Sequence, residues 1–157
     1  MKMNTSVRRA FRRGWFALAF SFLVLNGTVT WAGDLKLEAQ LVWGAHTNQA
    51  PNPNVKPVEE EVRKKLAELP LRWTNYFEIN RKQFDVPRGK TGRAALSEKC
   101  AVEVKSLEGK KVEVVWYNKR GELVGKQTQP LGKGEMIVLG GNAPNSTCWL
   151  LTLKRLE

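Results

Sequence analysis

Histidine occurs once in this chain, at His46, and cysteine and tyrosine only twice each, at Cys100, Cys148, Tyr76 and Tyr117. The single histidine removes the commonest starting point for zinc and hydrolytic chemistry, which draws on paired His, Cys or carboxylate groups at short spacings. No His-x-x-x-His, no Cys-x-x-Cys pair and no carboxylate cluster with ligand spacing is written in it. No metal and no cofactor is therefore expected, and no catalytic set is visible. Cys100 with His46 is the one sparse-site enzyme the composition allows, and His46 sits in a polar stretch where a solvated loop residue is the ordinary fate. The glycine clusters Gly132-Lys133-Gly134 and Gly140-Gly141-Asn142 lack phosphate-loop spacing and precede no helical pattern, so they read as turns needing positive φ. Internal repeats, low-complexity tracts and an alternating strand–helix rhythm are also missing.

The first 33 residues lack any acid. They hold Arg8, Arg9, Arg12 and Arg13, the apolar run Trp15 to Leu25, and the small residues Thr30 and Ala32. A basic start, an apolar middle and a small-residue end are the grammar of an export signal, here cut after Ala32. Residues 1–32 are thus expected to be an N-terminal export signal peptide, leaving 33–157 as one β-rich mature domain. The alternative is an uncleaved anchor over residues 15–33, roughly long enough to cross the ~30 Å of a bilayer core. Either way the domain is expected outside the cytoplasm, in the periplasm or the extracellular space, and touches a membrane only through that N-terminal segment. Arg8-Arg9-Ala10-Phe11 also resembles a twin-arginine signal, with Arg12 where that motif takes an apolar residue.

Five of the 26 basic residues and none of the 15 acids lie in residues 1–32, so the mature part keeps 21 against 15, a net charge of +6. Such a domain favours an anionic envelope polymer or an acidic protein partner. With no binding motif for it, nucleic acid is not an expected partner.

Beyond the leader the dominant period is two. Leu35 to Trp43 alternates apolar and polar residues as a half-buried strand does. Gly44 to Pro57, with Pro51, Pro53 and several amides, reads as a mobile loop. Pro57 to Leu69 is the one helix: Val58, Val62, Leu66 and Leu69 form a stripe, and Glu60–Lys64 and Glu61–Lys65 are i,i+4 pairs. Strands then follow over Trp73–Ile79, Cys100–Val104, Val112–Tyr117, Glu122–Thr128, Met136–Leu139 and Thr147–Leu153, with Met136–Leu139 covered on both faces. The predicted fold is mainly β, a small antiparallel β-sandwich or open barrel built as a meander, with one short helix packed on it.

Trp43, Trp73, Phe77, Trp116 and Trp149 are assigned to the core. Tyr76 and Tyr117 lie on the opposite faces of their strands and are the candidates for an exposed binding platform. Arg88, Lys90 and Arg93, in the glycine-containing stretch Pro87 to Arg93, are the candidate anion contacts. Cys100 and Cys148 suit a disulfide in an oxidising compartment, or two buried free thiols. Trp73-Thr74-Asn75-Tyr76-Phe77-Glu78 and Leu139-Gly140-Gly141-Asn142, together with the leader, resemble segments of short exported bacterial β-proteins of no assigned activity. The resemblance spans residues 35–154 and implies no functional residue. The expected function is an exported, non-enzymatic β-domain with a binding or structural role, or a membrane-tethered accessory subunit of an envelope complex.

Overall fold

The computed structural model describes residues 34–157. The signal peptide expected over 1–32 and the alternative anchor over 15–33 lie outside the described residues. The alternation from Leu35 produces strand β1 (Leu35–Ala45), which runs through the middle of the first sheet. Leu35, Leu37, Ala39 and Leu41 point between two sheets, whereas Val42 points to the opposite face, where the helix lies. Both faces of β1 are covered, so it is buried along nearly its whole length.

After β1 come β2 (Lys56–Pro57), helix α1 (Glu60–Ala67), β3 (Asn75–Val86), β4 (Thr91–Ser97), β5 (Cys100–Ser106), β6 (Lys111–Asn118), β7 (Leu123–Pro130), β8 (Met136–Ala143) and β9 (Thr147–Arg155). The first sheet has the order β2-β3-β1-β9-β8 and the second the order β4-β5-β6-β7, with every pairing antiparallel. The second sheet is the expected meander. The first is not, because β1 pairs with both β3 and β9 and so brings the two ends of the domain together. The result is a small β-sandwich with a helix on it, and no closed barrel.

The core between the sheets is built from the alternating set Val102, Val104, Val112 and Val114 on one side and Leu37, Leu41, Leu151 and Leu153 on the other. Burying such side chains is worth about 1.5–3 kcal/mol each, which makes this layer the main source of stability. A second cluster fills the space under α1, where Val58, Val62 and Leu66 cover Val42, Cys148 and Leu150.

Several boundaries differ from expectation. The loop is shorter than 44–57: Gly44 and Ala45 continue β1, and Lys56 and Pro57 pair with Glu78 and Phe77. Pro57 therefore belongs to a strand and α1 starts at Glu60, although Val58 still packs with the helical stripe. The expected i,i+4 pairs are replaced by Arg63–Glu60 and Lys65–Glu68, and Glu61 pairs with Lys154 of β9 at 2.6 Å. Strand β4, with inward Gly92, Ala94 and Leu96, was not foreseen, because alanine and glycine give little apolar contrast. Gly140, Gly141 and Asn142 are strand rather than turn; the chain reverses at Pro144-Asn145-Ser146, with φ of 61° at Asn145 and 57° at Ser146. Trp149, assigned to the core, is 44 % exposed.

Candidate functional site

The sandwich is closed on one side and gapes on the other. On the closed side β4 folds back beside β3. A Cβ on Gly92 would stand 2.7 Å from the Asp85 carbonyl oxygen and 2.7 Å from Val86 Cγ2, so only glycine permits this approach. Asn80 Nδ2 donates across the corner to the Leu96 carbonyl at 2.6 Å. On the other side β8 and β7 are the outer strands of their sheets and share no ladder.

There, at the end carrying the β4–β5, β6–β7 and β8–β9 turns, a cleft of about 560 Å³ opens between the sheets. Leu41, Ile79, Leu139 and Leu151 form its apolar floor, Trp116 and Trp149 its walls, and Val124 its lip. The rim is polar, with Ser97, Glu98 and Lys99 from one turn and Asn118 and Asn142 facing it. The Trp116 wall is held by its neighbour in the next strand: Trp116 pairs with Gly125, where a Cβ would run into the indole ring. Gly141 pairs with Trp149, and a Cβ at Gly141 would meet nothing within 4 Å, so the β8 side of the cleft is open for want of a side chain. The volume lies within the range of ligand-binding clefts, which are mainly apolar with a few polar groups at the edge.

The residues singled out from the sequence fall in four places. Tyr117, Arg93 and Glu103 come together on the outer face of the second sheet. The Tyr117 hydroxyl donates to Glu103 Oε2 at 2.9 Å, the Arg93 guanidinium lies 5.7 Å over the Tyr117 ring, and Arg93 pairs with Glu103 at 2.9 Å. The bond to the Glu103 carboxylate holds the Tyr117 hydroxyl above the usual phenol range. Arg93 is thus already neutralised, and it does not act with Arg88 and Lys90, which lie exposed in the β3–β4 turn. Tyr76 faces the helix side, half-buried, and its hydroxyl donates to the Trp73 carbonyl at 2.9 Å. Burial raises its pKa. The two tyrosines do not form one platform.

Both cysteines are free thiols. Cys100 lines the cleft and packs against the inter-sheet cluster, while Cys148 lies in the cluster under α1. Burial pushes the Cys100 thiol up, and pushes that of Cys148 to about 11 despite a hydrogen bond from the Gly44 backbone. His46 is exposed after β1; its carbonyl accepts from Asn75 Nδ2 at 3.2 Å, and it is not among the residues lining the cleft with Cys100. Among the described residues no group of three or more His, Cys, Asp or Glu stands together as metal ligands, and no helix is long and apolar enough to cross a membrane.

Sequence reasoning missed the cleft because it counted Trp149 as core and the Gly140-Gly141 pair as a turn. The available signal was the glycine pair directly after Met136 to Leu139, since glycine within a strand pattern marks a close approach or an unfilled space. No family model, no curated protein and no solved structure matches this chain.

Proposed function

We propose that this chain is an exported, non-enzymatic binding domain of the cell envelope or the extracellular space, and that it binds an apolar group in the cleft between its sheets. The observation that carries the reading is where the exposed apolar surface lies. Leu123, Val124 and Trp149 are the large hydrophobic side chains left exposed among the described residues. Val124 and Trp149 line the cleft, whereas Leu123 pairs with Tyr117 and lies among the residues on the outer face of the second sheet. Scattered exposed apolar residues are ordinary, but two at the mouth of an apolar cleft mark an interaction site. The leader pattern over residues 8–33 supports export, and the +6 balance of the remainder favours an anionic setting.

The test fills the cleft at the position with room to take it. Gly141→Phe adds an aromatic side chain where the structure leaves open space. Binding of 1-anilinonaphthalene-8-sulfonate, measured as the fluorescence gained per protein, is expected to weaken by roughly tenfold in the variant. Equal binding in variant and parent would place the apolar site elsewhere. Mass spectrometry of the native product is expected to find its first residue at Gly33; an intact amino end free in the cytosol refutes export.

A further inference from the structure

The cleft is bordered by the free edge of β8, and the two features share residues: Leu139, Gly140, Gly141 and Asn142 belong to the strand and line the cleft. We infer that the occupant is an extended polypeptide segment of a protein partner, which pairs with β8 as a sixth strand of the first sheet and lowers alternate apolar side chains into the cleft. This rests on the reading of the cleft as the binding face and specifies what fills it.

Three observations carry the inference. The first is the hydrogen-bonding state of the edge. Among the described residues β8 pairs only with β9, so alternate N–H and C=O groups along Met136–Ala143 point away from the sheet. The second is charge. Natural edge strands are commonly blocked by lysine, proline or inward charges. The opposite edge, β7, follows that practice with Lys126 and Pro130, whereas β8 carries no charged residue at all. An edge without charge complements a strand whose central residues are uncharged, and repels none. The polar groups beside the strand lie towards its ends, in Glu98, Lys99 and Asn142 at the cleft end, and in Glu135 with Glu61, Lys64 and Lys65 of α1 beside Met136 and Ile137 at the other, where they suit the polar flanks of such a segment.

The third observation is shape. Gly141 presents bare backbone on the cleft side, between Trp149 in its own sheet and Val124 across the gap. In a paired strand the residue opposite Gly141 projects on that same side, and a large side chain there covers the glycine and enters the cleft. Main-chain pairing plus a pocket for alternate side chains is the established logic of strand addition. The added strand also closes the side on which β8 and β7 stand apart. The partner segment is therefore extended, uncharged at its centre, apolar at alternate positions, and carries its largest side chain, aromatic by preference, opposite Gly141.

The experiment uses the purified full-length chain and a fluorescein-labelled peptide, Lys-Thr-Val-Thr-Phe-Thr-Val-Thr-Lys, read by fluorescence anisotropy. Two further peptides carry N-methyl groups on either the odd or the even amides. A strand offers alternate amides to its two sides. Pairing with β8 thus predicts that one methylated series binds like the parent while the other weakens by at least ~tenfold, as loss of two or three hydrogen bonds implies. Gly141→Phe is expected to weaken the unmethylated peptide as well. Equal retention or equal loss in the two series overturns strand pairing. If no peptide binds while the naphthalene probe still distinguishes Gly141→Phe from the parent, strand addition fails and the apolar cleft stands. If the probe does not distinguish them either, both readings fail. Sedimentation showing that the protein alone is a dimer, and that the peptide dissociates it, would assign the edge to a second copy and overturn the inference of a separate partner.

Discussion

At Gly44 two neighbouring strands already occupy the space a side chain would need. The register places Tyr76 on one side of it in β3 and Cys148 on the other in β9. A Cβ would stand 2.5 Å from Cys148 Sγ and 3.2 Å from two carbons of the Tyr76 ring. Gly44→Ala is expected to destabilise the domain by roughly 1–3 kcal/mol through overpacking. Cys148→Ala removes the closer obstacle, so the double variant should be more stable than the sum of the two single changes requires. Urea denaturation of the four proteins measures this coupling; strictly additive losses would show that Gly44 is not held by Cys148. The inward valines and leucines of this region were legible in the sequence, because alternation is a local signal. The glycine requirement was not, since its causes sit at residues 76 and 148, and only the register brings them to residue 44. The same reason hid the roles of Gly125 against Trp116 and of Gly141 beside Trp149.

Among the elements, α1 shows how a correctly located helix can be fixed by contacts its own pattern does not display. Its stripe of Val62 and Leu66 was readable and is buried as expected. Its amino end is tied down by Arg81 of β3, which pairs with Glu59 at 2.8 Å, Glu78 at 2.6 Å and Glu38 of β1 at 3.4 Å. These bonds hold the Arg81 guanidinium protonated above its ordinary range, with the Glu78 hydrogen bond the leading cause. Burial alone would raise the Glu38 carboxyl, but hydrogen bonds from Gln83 and Gln40 and the charges of Arg81 and Lys154 hold it below the ordinary glutamate range. A carboxyl depressed in the folded state stabilises the fold above its unfolded pKa and loses that contribution as pH falls through the folded value. Stability should accordingly fall below about pH 4.5, and Glu38→Gln should flatten that acid limb. Arg81→Met should cost roughly 2 kcal/mol near neutral pH, because it leaves the buried Glu38 carboxylate with only the charge of Lys154. Urea midpoints taken from about pH 6 down to about pH 3 test both. A Glu38→Gln curve parallel to the parent would show that this carboxylate does not govern the acid response. None of these partners was legible from spacing, because they converge from β1, β3 and the approach to α1.

For the whole molecule, the sandwich is secured along one side and open along the other, which predicts an uneven distribution of local stability. β1 is paired on both sides and covered on both faces, so its amides open only when the fold as a whole does. β7 is paired on one side, and most of its residues are exposed, Leu123 and Val124 among them. β8 lies between these limits: its apolar half packs on both clusters, while Gly140, Gly141 and Asn142 are exposed. Two-layer architecture and the dominance of strands could be read from the sequence, because they follow from period and turn spacing. Which side stays open could not, since that depends on how the β3–β4 corner brings one sheet over the other. Hydrogen exchange followed by mass spectrometry should therefore show Leu123–Pro130 exchanging first, the 140–143 segment next, and Leu35–Ala45 last. Addition of the alternating Val-Thr-Phe peptide should slow exchange in Met136–Ala143 by local protection, and should slow Leu35–Ala45 only through the stability that binding adds to the whole fold. Protection of β7 equal to that of β1 in the protein alone would mean that the open side is already covered, and the half-open sandwich would no longer describe the molecule in solution.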